Sequence, residues 1–487
     1  CSSDLFIGGG AWQLQDALTT PAANAVTLTS GSLDLNNKTL TCGTFSSTNS
    51  NTRSIAFGST GSIVTTTTTA GATVLNMSTV SNFSFTGTSN ISAAMSVTRV
   101  FKFGDATGGN PTRVLNINLT SGASVPTFTG QFNNVNFTGS TCNPGAVTIT
   151  CNGFTLASGG TYTSTSFSIV GTGTLTSTGK TISSLTVNGI GITSTLADAL
   201  TTGTTATTSF LLGTLDLNNQ TLTTGIFSST TGATRVLAFG TTGSIVLVHT
   251  TAGTTVLSMA NASAFTFTGT SNITAGMSTT RTFNFGGTAG ATTSNRLNIN
   301  LTSGASVPTF TGSFRQINFT GSTCNPGAQT ISCHGFTLAS GGTYSSTDFT
   351  TVGTGTITYT GKSISSLAIN GSGITTTLAD AGINSDITLT NGTLDLAGNT
   401  LTSSAKVTTN AGTKNITFNG GTLICAGSGG NCWSNANPTG FTTTAGTGTG
   451  TISLTNSSAK TFTGGGSTYN CTLNQGGAGA LTITGSN

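Results

Sequence analysis

Leu115-Asn116-Ile117-Asn118-Leu119-Thr120-Ser121-Gly122-Ala123-Ser124-Val125-Pro126-Thr127-Phe128-Thr129-Gly130 returns unchanged as residues 297–312, an offset of 297 − 115 = 182. So faithful a copy at that distance makes the chain a repeat array, and local structure has to be read within the repeat. Outward from this stretch the same offset relates Asp16-Ala17-Leu18, Asp198-Ala199-Leu200 and Asp380-Ala381. It also relates Leu33-Asp34-Leu35-Asn36-Asn37 to Leu215-Asp216-Leu217-Asn218-Asn219, and Arg53 to Arg235. A third copy opens with Leu394-Asp395-Leu396, 179 beyond Leu215, and fades after about residue 400. The expected organisation is an N-terminal edge at 1–13, repeat units at 14–195 and 196–377, and a divergent partial unit at 378–487.

A finer period sets the fold. Phe101-Lys102-Phe103, Ile117-Asn118-Leu119 and Val135-Asn136-Phe137 are apolar-polar-apolar triplets, with steps of 117 − 101 = 16 and 135 − 117 = 18. Phe283, Ile299 and Ile317 open the same series in the second copy. Phe167-Ser168-Ile169 and Leu185-Thr186-Val187 are again 18 apart. Alternation of period two places both apolar members on one face of a strand and the polar member on the other. Turn signals such as Thr86-Gly87-Thr88, Gly108-Gly109-Asn110-Pro111, Asn143-Pro144-Gly145 and Ser158-Gly159-Gly160 punctuate these triplets. The expectation is an all-β, elongated parallel β-solenoid with coils of roughly 16 to 22 residues, nine or ten per unit. Tandem β-sandwich domains are the alternative, disfavoured by the coil-length spacing and by the lack of a Cys-Trp-Cys framework.

Composition agrees. Charged residues are 5% of the chain, all ten acids are Asp, and no Glu is present. Strong helix formers are scarce, while Thr, Val, Ile and Phe suit a half-buried pleated surface. With 34% hydrophobic residues, 27 Phe and only 7 Pro, the chain has the means to fold. One such coil cannot stand alone. Ordering about 18 residues costs about 18 to 36 kcal/mol of backbone entropy, and four to six inward side chains return only about 6 to 18 kcal/mol.

The formal charge of +4 is spread over 14 basic positions without a patch, which argues against nucleic-acid binding. No apolar run approaches the eighteen or so residues of a membrane-spanning helix. The chain does not start with Met and shows no signal peptide. Cys1-Ser2-Ser3-Asp4-Leu5 resembles a translated sequencing-adapter remnant, so residues 1–5 are expected to be a contig artefact.

Chemistry-bearing residues are few. Cys142 and Cys151 share a nine-residue spacing with Cys324 and Cys333, and Cys425 and Cys432 bracket a Gly-rich turn. These six are candidate disulfides, which would imply an oxidising compartment; buried free thiols are the other reading. A metal site is disfavoured, because the usual Cys-x-x-Cys spacing and His ligands are missing. Of the two histidines, His334 follows Cys333 but is Asn152 in the first copy, and His249 matches Thr67, so no catalytic dyad is assigned. Asp34, Asp216 and Asp395 occupy the polar slot of Leu-Asp-Leu triplets and read as a solvated strand face. No catalytic, cofactor-binding or metal residue and no cofactor is assigned.

The strings Trp12-Gln13-Leu14-Gln15-Asp16-Ala17-Leu18, then residues 32–47 from Ser32-Leu33-Asp34-Leu35, then Asn51-Thr52-Arg53-Ser54-Ile55-Ala56-Phe57-Gly58 resemble a repeat family of phage and bacterial proteins known from metagenomes. They are similar to tail-fibre and surface-adhesin β-repeat proteins, and the resemblance covers the first two units and part of the third. It implies a non-enzymatic structural or adhesive protein of a virion or bacterial cell surface, hence extracellular, acting as a rigid spacer whose polar faces contact glycans. It carries no catalytic motif. The alternatives are a tail-spike-like β-helix enzyme bringing acids from distant coils together to cleave polysaccharide, a self-associating extracellular filament, and an ice-binding solenoid built on runs such as Thr65 to Thr69.

Overall fold

The computed structural model describes residues 9–79, 81–104, 114–120, 124–139, 142–261, 264–286, 296–302, 306–428 and 430–485. Among these there is no helix, and so none long enough to cross a membrane. The turn at 108–111 and the segment 1–5 lie outside the described residues. The chain divides into two compact units, Cys1–Ile245 and Val246–Asn487.

Each unit is a parallel β-solenoid in which strands pair with their counterparts one coil away. In the first unit Leu18 pairs with Leu40, Leu40 with Ile63, Ile63 with Ile91, Ile91 with Ile117, and Ile117 with Phe137, all parallel. All but Leu18 are at most 2% exposed. The second unit repeats the scheme in Ile273, Ile299 and Phe319, then in Leu401, Leu423 and Ile452. Alternation puts every second residue inward, as the buried-intermediate pattern of Arg99–Phe103 and Ser271–Gly276 shows. The solenoid thus reconciles parallel pairing with one wet face.

Coil length departs from the expectation. Arg53 pairs with Phe83, a step of 83 − 53 = 30, whereas Ile149 pairs with Phe167, a step of 167 − 149 = 18. The successive steps from Leu18 to Ile117 are 22, 23, 28 and 26, which gives about eight coils per repeat unit rather than nine or ten. The 16-residue spacing from Phe101 to Ile117 is not a coil, because the two sit in different strand columns. Phe101 pairs with Leu75 and Phe128, and Ile117 with Ile91 and Phe137. The 18-residue step from Phe167 to Leu185 is a true coil. The inward stack keeps its register while the segments between successive stacked residues vary in length.

Aromatic columns fill the interior. Phe101 stacks on Phe128 and Phe103 on Phe132, with centroids 5.2 and 5.6 Å apart, and the second copy repeats both contacts in Phe283–Phe310 and Phe285–Phe314. Such pairs add about 0.5 to 1.5 kcal/mol each beyond their buried area. The unchanged stretch at 115–130 ends in Gly130 for a packing reason: its φ is +93°, and a Cβ there would strike the carbonyl of Phe103 on the coil before.

Candidate functional site

Acids were the residues through which an enzyme reading would have to work, and the structure ties five of the ten to turns. Asp198 accepts the backbone N–H groups of Ser177 at 2.7 Å and Thr178 at 2.6 Å, and Asp380 does the same for Tyr359 and Thr360. Thr178 and Thr360 both have φ of 50°, a left-handed conformation costly for a β-branched residue. Each carboxylate therefore clamps a strained corner of the preceding coil. Asp34, Asp216 and Asp395 close a second kind of corner by accepting the N–H two residues on, at 2.8, 2.8 and 2.9 Å. These are Asx turns, and the residues that follow, Asn36-Asn37 and Asn218-Asn219, are left-handed as well.

Cys142, Cys151, Cys324, Cys333, Cys425 and Cys432 are free, buried thiols here rather than the bridges the spacing suggested. The strand geometry supplies the reason for the first pair. Cys151 points inward, in register with Phe132 and Ile169 on the neighbouring coils. Cys142 instead lies in a corner, hydrogen-bonded to Tyr162 and to the backbone of Leu119. Burial pushes the thiols of Cys42 and Cys324 up to about 12 and that of Cys142 up to about 11, which keeps them protonated and unreactive.

Cys333 and His334 are neighbours on one strand and so face opposite ways, the thiol fully buried and the imidazole outward. Burial lowers the His334 pKa, and the charge of Arg315 lowers it further. His249 is 7% exposed and accepts the Thr251 N–H at Nδ1. Among the described residues no group of three or more His, Cys, Asp or Glu is placed to hold a metal ion.

The functional reading of the sequence missed a set of buried cations. Arg53, Arg99, Arg235, Arg281, Lys414 and Lys460 are all at most 3% exposed. They form two families across the three copies: Arg53, Arg235 and Lys414, then Arg99, Arg281 and Lys460, at offsets of 182 and 179. Their partners are backbone carbonyls and hydroxyls. Arg53 donates to the Asn51, Thr79 and Ser81 carbonyls and to Ser47 Oγ at 2.8 to 3.0 Å, with its guanidinium 5.3 Å from the Phe83 ring centre. Arg235 repeats this with the Ala233 and Ser229 carbonyls and Ser229 Oγ. Lys414 donates to the Gly412 and Thr439 carbonyls at 2.9 and 3.1 Å.

Each of these cations stands in phase with the apolar alternation, as in Arg53-x-Ile55-x-Phe57 and Lys414-x-Ile416-x-Phe418. That phase was the available signal. The arithmetic of charge changes accordingly, since 14 basic residues less these six leaves eight against ten acids. The six buried cations carry +6, and the remaining residues sum to −2.

Outward, the polar slots carry amides and hydroxyls. Asn116 Nδ2 donates to Asn90 Oδ1 at 2.9 Å, and in the second copy Asn318, Asn298 and Asn272 form a ladder with steps of 2.8 and 3.3 Å. A sustained threonine column is not what faces outward beside the first stack, where Thr19 and Thr41 are followed by Val64, Ser92 and Asn118. A hollow of about 450 Å³ opens on this side of the first unit over Asn134, Asn136, Thr155, Thr172 and Thr174. Comparison with protein-family models, with curated proteins and with solved structures returned no match.

Proposed function

We propose that this is a non-enzymatic structural repeat protein that acts as a stiff spacer at a virion or bacterial surface and meets glycans through its polar outer faces. The observation that carries this reading is the use of the acids. Asp34, Asp198, Asp216, Asp380 and Asp395, which a glycan-cleaving site would draw on, each brace a turn through backbone N–H groups. Hydrolysis by paired carboxylates requires two such groups flanking a bond in a cleft. The buried cations and aromatic columns support the same reading, since they serve to hold one coil on the next.

Incubation with a panel of neutral and acidic polysaccharides tests it. Retention of the protein on the immobilised polymer with no new reducing ends is the expected result. Release of reducing ends would overturn the non-enzymatic reading, and passage of the protein through every column would overturn the adhesive one.

A further inference from the structure

The third copy changes a corner that the first two share. In each copy a strand ends on an inward residue, Thr65, Leu247 or Cys425, and the next strand carries an extra inward residue at a β-bulge, Val74, Val256 or Cys432. All six are at most 1% exposed. A bulge leaves one residue unopposed in the ladder and turns it to the same side as its neighbour, so Cys432 and Trp433 are both buried although adjacent. The spacing between the two positions shortens from 74 − 65 = 9 and 256 − 247 = 9 to 432 − 425 = 7. Both inward positions thus become cysteine together, in the one copy where the chain between them is tightened.

The coil below shows how near these positions come. Ser403 lies directly beneath Cys425, and Lys406 precedes Val407, which lies beneath Trp433. Ser403 Oγ donates to the Lys406 carbonyl at 2.8 Å, so even a short side chain in this slot spans the corner to the backbone beside the bulge column. Gly427 lets the corner of the third copy lie against that coil, where a Cβ would strike the Ala405 carbonyl. Cys432 Sγ donates to the Thr461 carbonyl at 3.6 Å, next to Lys460. Electrostatics agree with this geometry. Burial raises the Cys425 pKa and charge on Cys432 raises it further; burial raises Cys432 too, but backbone N–H groups and the Lys460 ammonium pull it back. Cys432 is the thiol more readily ionised, and Gly430 and Asn431 beside it are exposed.

We infer that Cys425 and Cys432, free thiols here, are a redox-active pair that closes to a disulfide by exchange with a small-molecule disulfide. The Cys432 thiolate attacks one sulfur of oxidised glutathione and expels a glutathione thiolate, which takes up the proton that Cys432 lost. Cys425, losing its own proton, then attacks Sγ of Cys432 in the mixed disulfide and expels the second glutathione, which takes up that proton. Two protein thiols are oxidised, and one small disulfide is reduced to two thiols. The bridge ties the corner of the third copy and is independent of the glycan reading.

Incubation of the folded, fully reduced protein with oxidised glutathione, followed by intact mass and peptide mapping, tests this. The expected result is loss of two of the nine thiols, with Cys425 and Cys432 joined in one linked peptide. Cys425→Leu and Cys432→Val install the residues of the second copy, Leu247 and Val256, so folding is preserved and circular dichroism checks it. Cys425→Leu is expected to stop at a glutathione adduct on Cys432, and Cys432→Val to lose both the adduct and the bridge. Folded protein that keeps all its thiols, while the same protein in urea is oxidised, would overturn the inference. A bridge that maps to any other pair of cysteines would overturn it as well.

Discussion

The first two copies and the third solve the same corner with different residues. In the first two, an arginine stands in the inward slot after a left-handed Asn-Asn pair: Asn36-Asn37 with Arg53, and Asn218-Asn219 with Arg235. In the third, Ala397-Gly398 makes the corner and Lys414 fills the slot. Register is kept throughout, since Gly31 pairs with Arg53, Gly213 with Arg235 and Gly392 with Lys414. What persists is a cation ringed by carbonyls at the mouth of an apolar column, and what drifts is the side chain that supplies it. An arginine fork meets four acceptors around Arg53, whereas the lysine ammonium meets two around Lys414.

Removing the cation is expected to have the largest effect. Arg53→Met keeps volume but orphans three carbonyls, and at about 1 to 3 kcal/mol per unsatisfied group the loss should be about 3 kcal/mol or more. Lys414→Met, with fewer acceptors to strand, should cost about 2 kcal/mol. Urea unfolding of both variants measures the difference. Equal losses would show that the slot needs only charge, and a larger loss for Lys414→Met would break the comparison.

The carboxylate clamp ranks second. Asp198→Ala frees two N–H groups of the left-handed corner at Ser177 and Thr178, with an expected loss of about 1 to 2 kcal/mol. Thr178→Gly in the same background should recover part of it, because glycine adopts that conformation without strain. If it does not, the carboxylate is holding something other than a strained turn.

The third copy offers a gain. Ala397 has φ of 49° where the earlier copies carry Asn36 and Asn218. Asparagine tolerates this region better than alanine, so Ala397→Asn should stabilise the corner by about 0.5 to 1 kcal/mol. Asn218→Ala should destabilise the second copy by a similar amount, and thermal unfolding of the two variants reads both signs. No change in either would mean that the corners are set by Asp395 with Gly398 and by Asp216 with Asn219.

How much of this was readable follows from where the period is strict. Inward Ile55, Phe101, Ile117 and Leu185 announced themselves by alternation, and the parallel solenoid followed from triplets that cannot bury a face alone. Coil length was not readable, because corners vary freely and a 16-residue gap such as Phe101 to Ile117 mimics a coil while joining two columns. The buried cations escaped because a charge in an alternating strand is ordinarily assigned to the wet face; only its phase with Ile55 and Phe57 argued otherwise. The cysteine spacing misled for a related reason. A gap of nine brings Cys142 and Cys151 to one coil, but spacing does not say that one lies in a corner against Tyr162 and the other points inward between Phe132 and Ile169. For the outer face, amides and hydroxyls were legible as polar slots, while the hollow over Asn134, Asn136 and Thr155 was not.

The smallest expected effect separates the first two copies by pH. His334 occupies the outward slot that Asn152 fills in the first copy, and both burial and Arg315 hold its pKa below the ordinary 6.5. The folded state therefore favours neutral imidazole. The contribution is fully present above the unfolded value near 6.5, and it is lost as pH falls through the lower folded pKa. Wild-type stability should thus decline on acidification by more than that of His334→Asn, which installs the first copy's residue, and the two curves should meet again above pH 7. Proton NMR titration of the two imidazoles supplies the pKa directly. A His334 midpoint at or above 6.5 would show that Arg315 does not press on the ring, and the two copies would then differ here in shape alone.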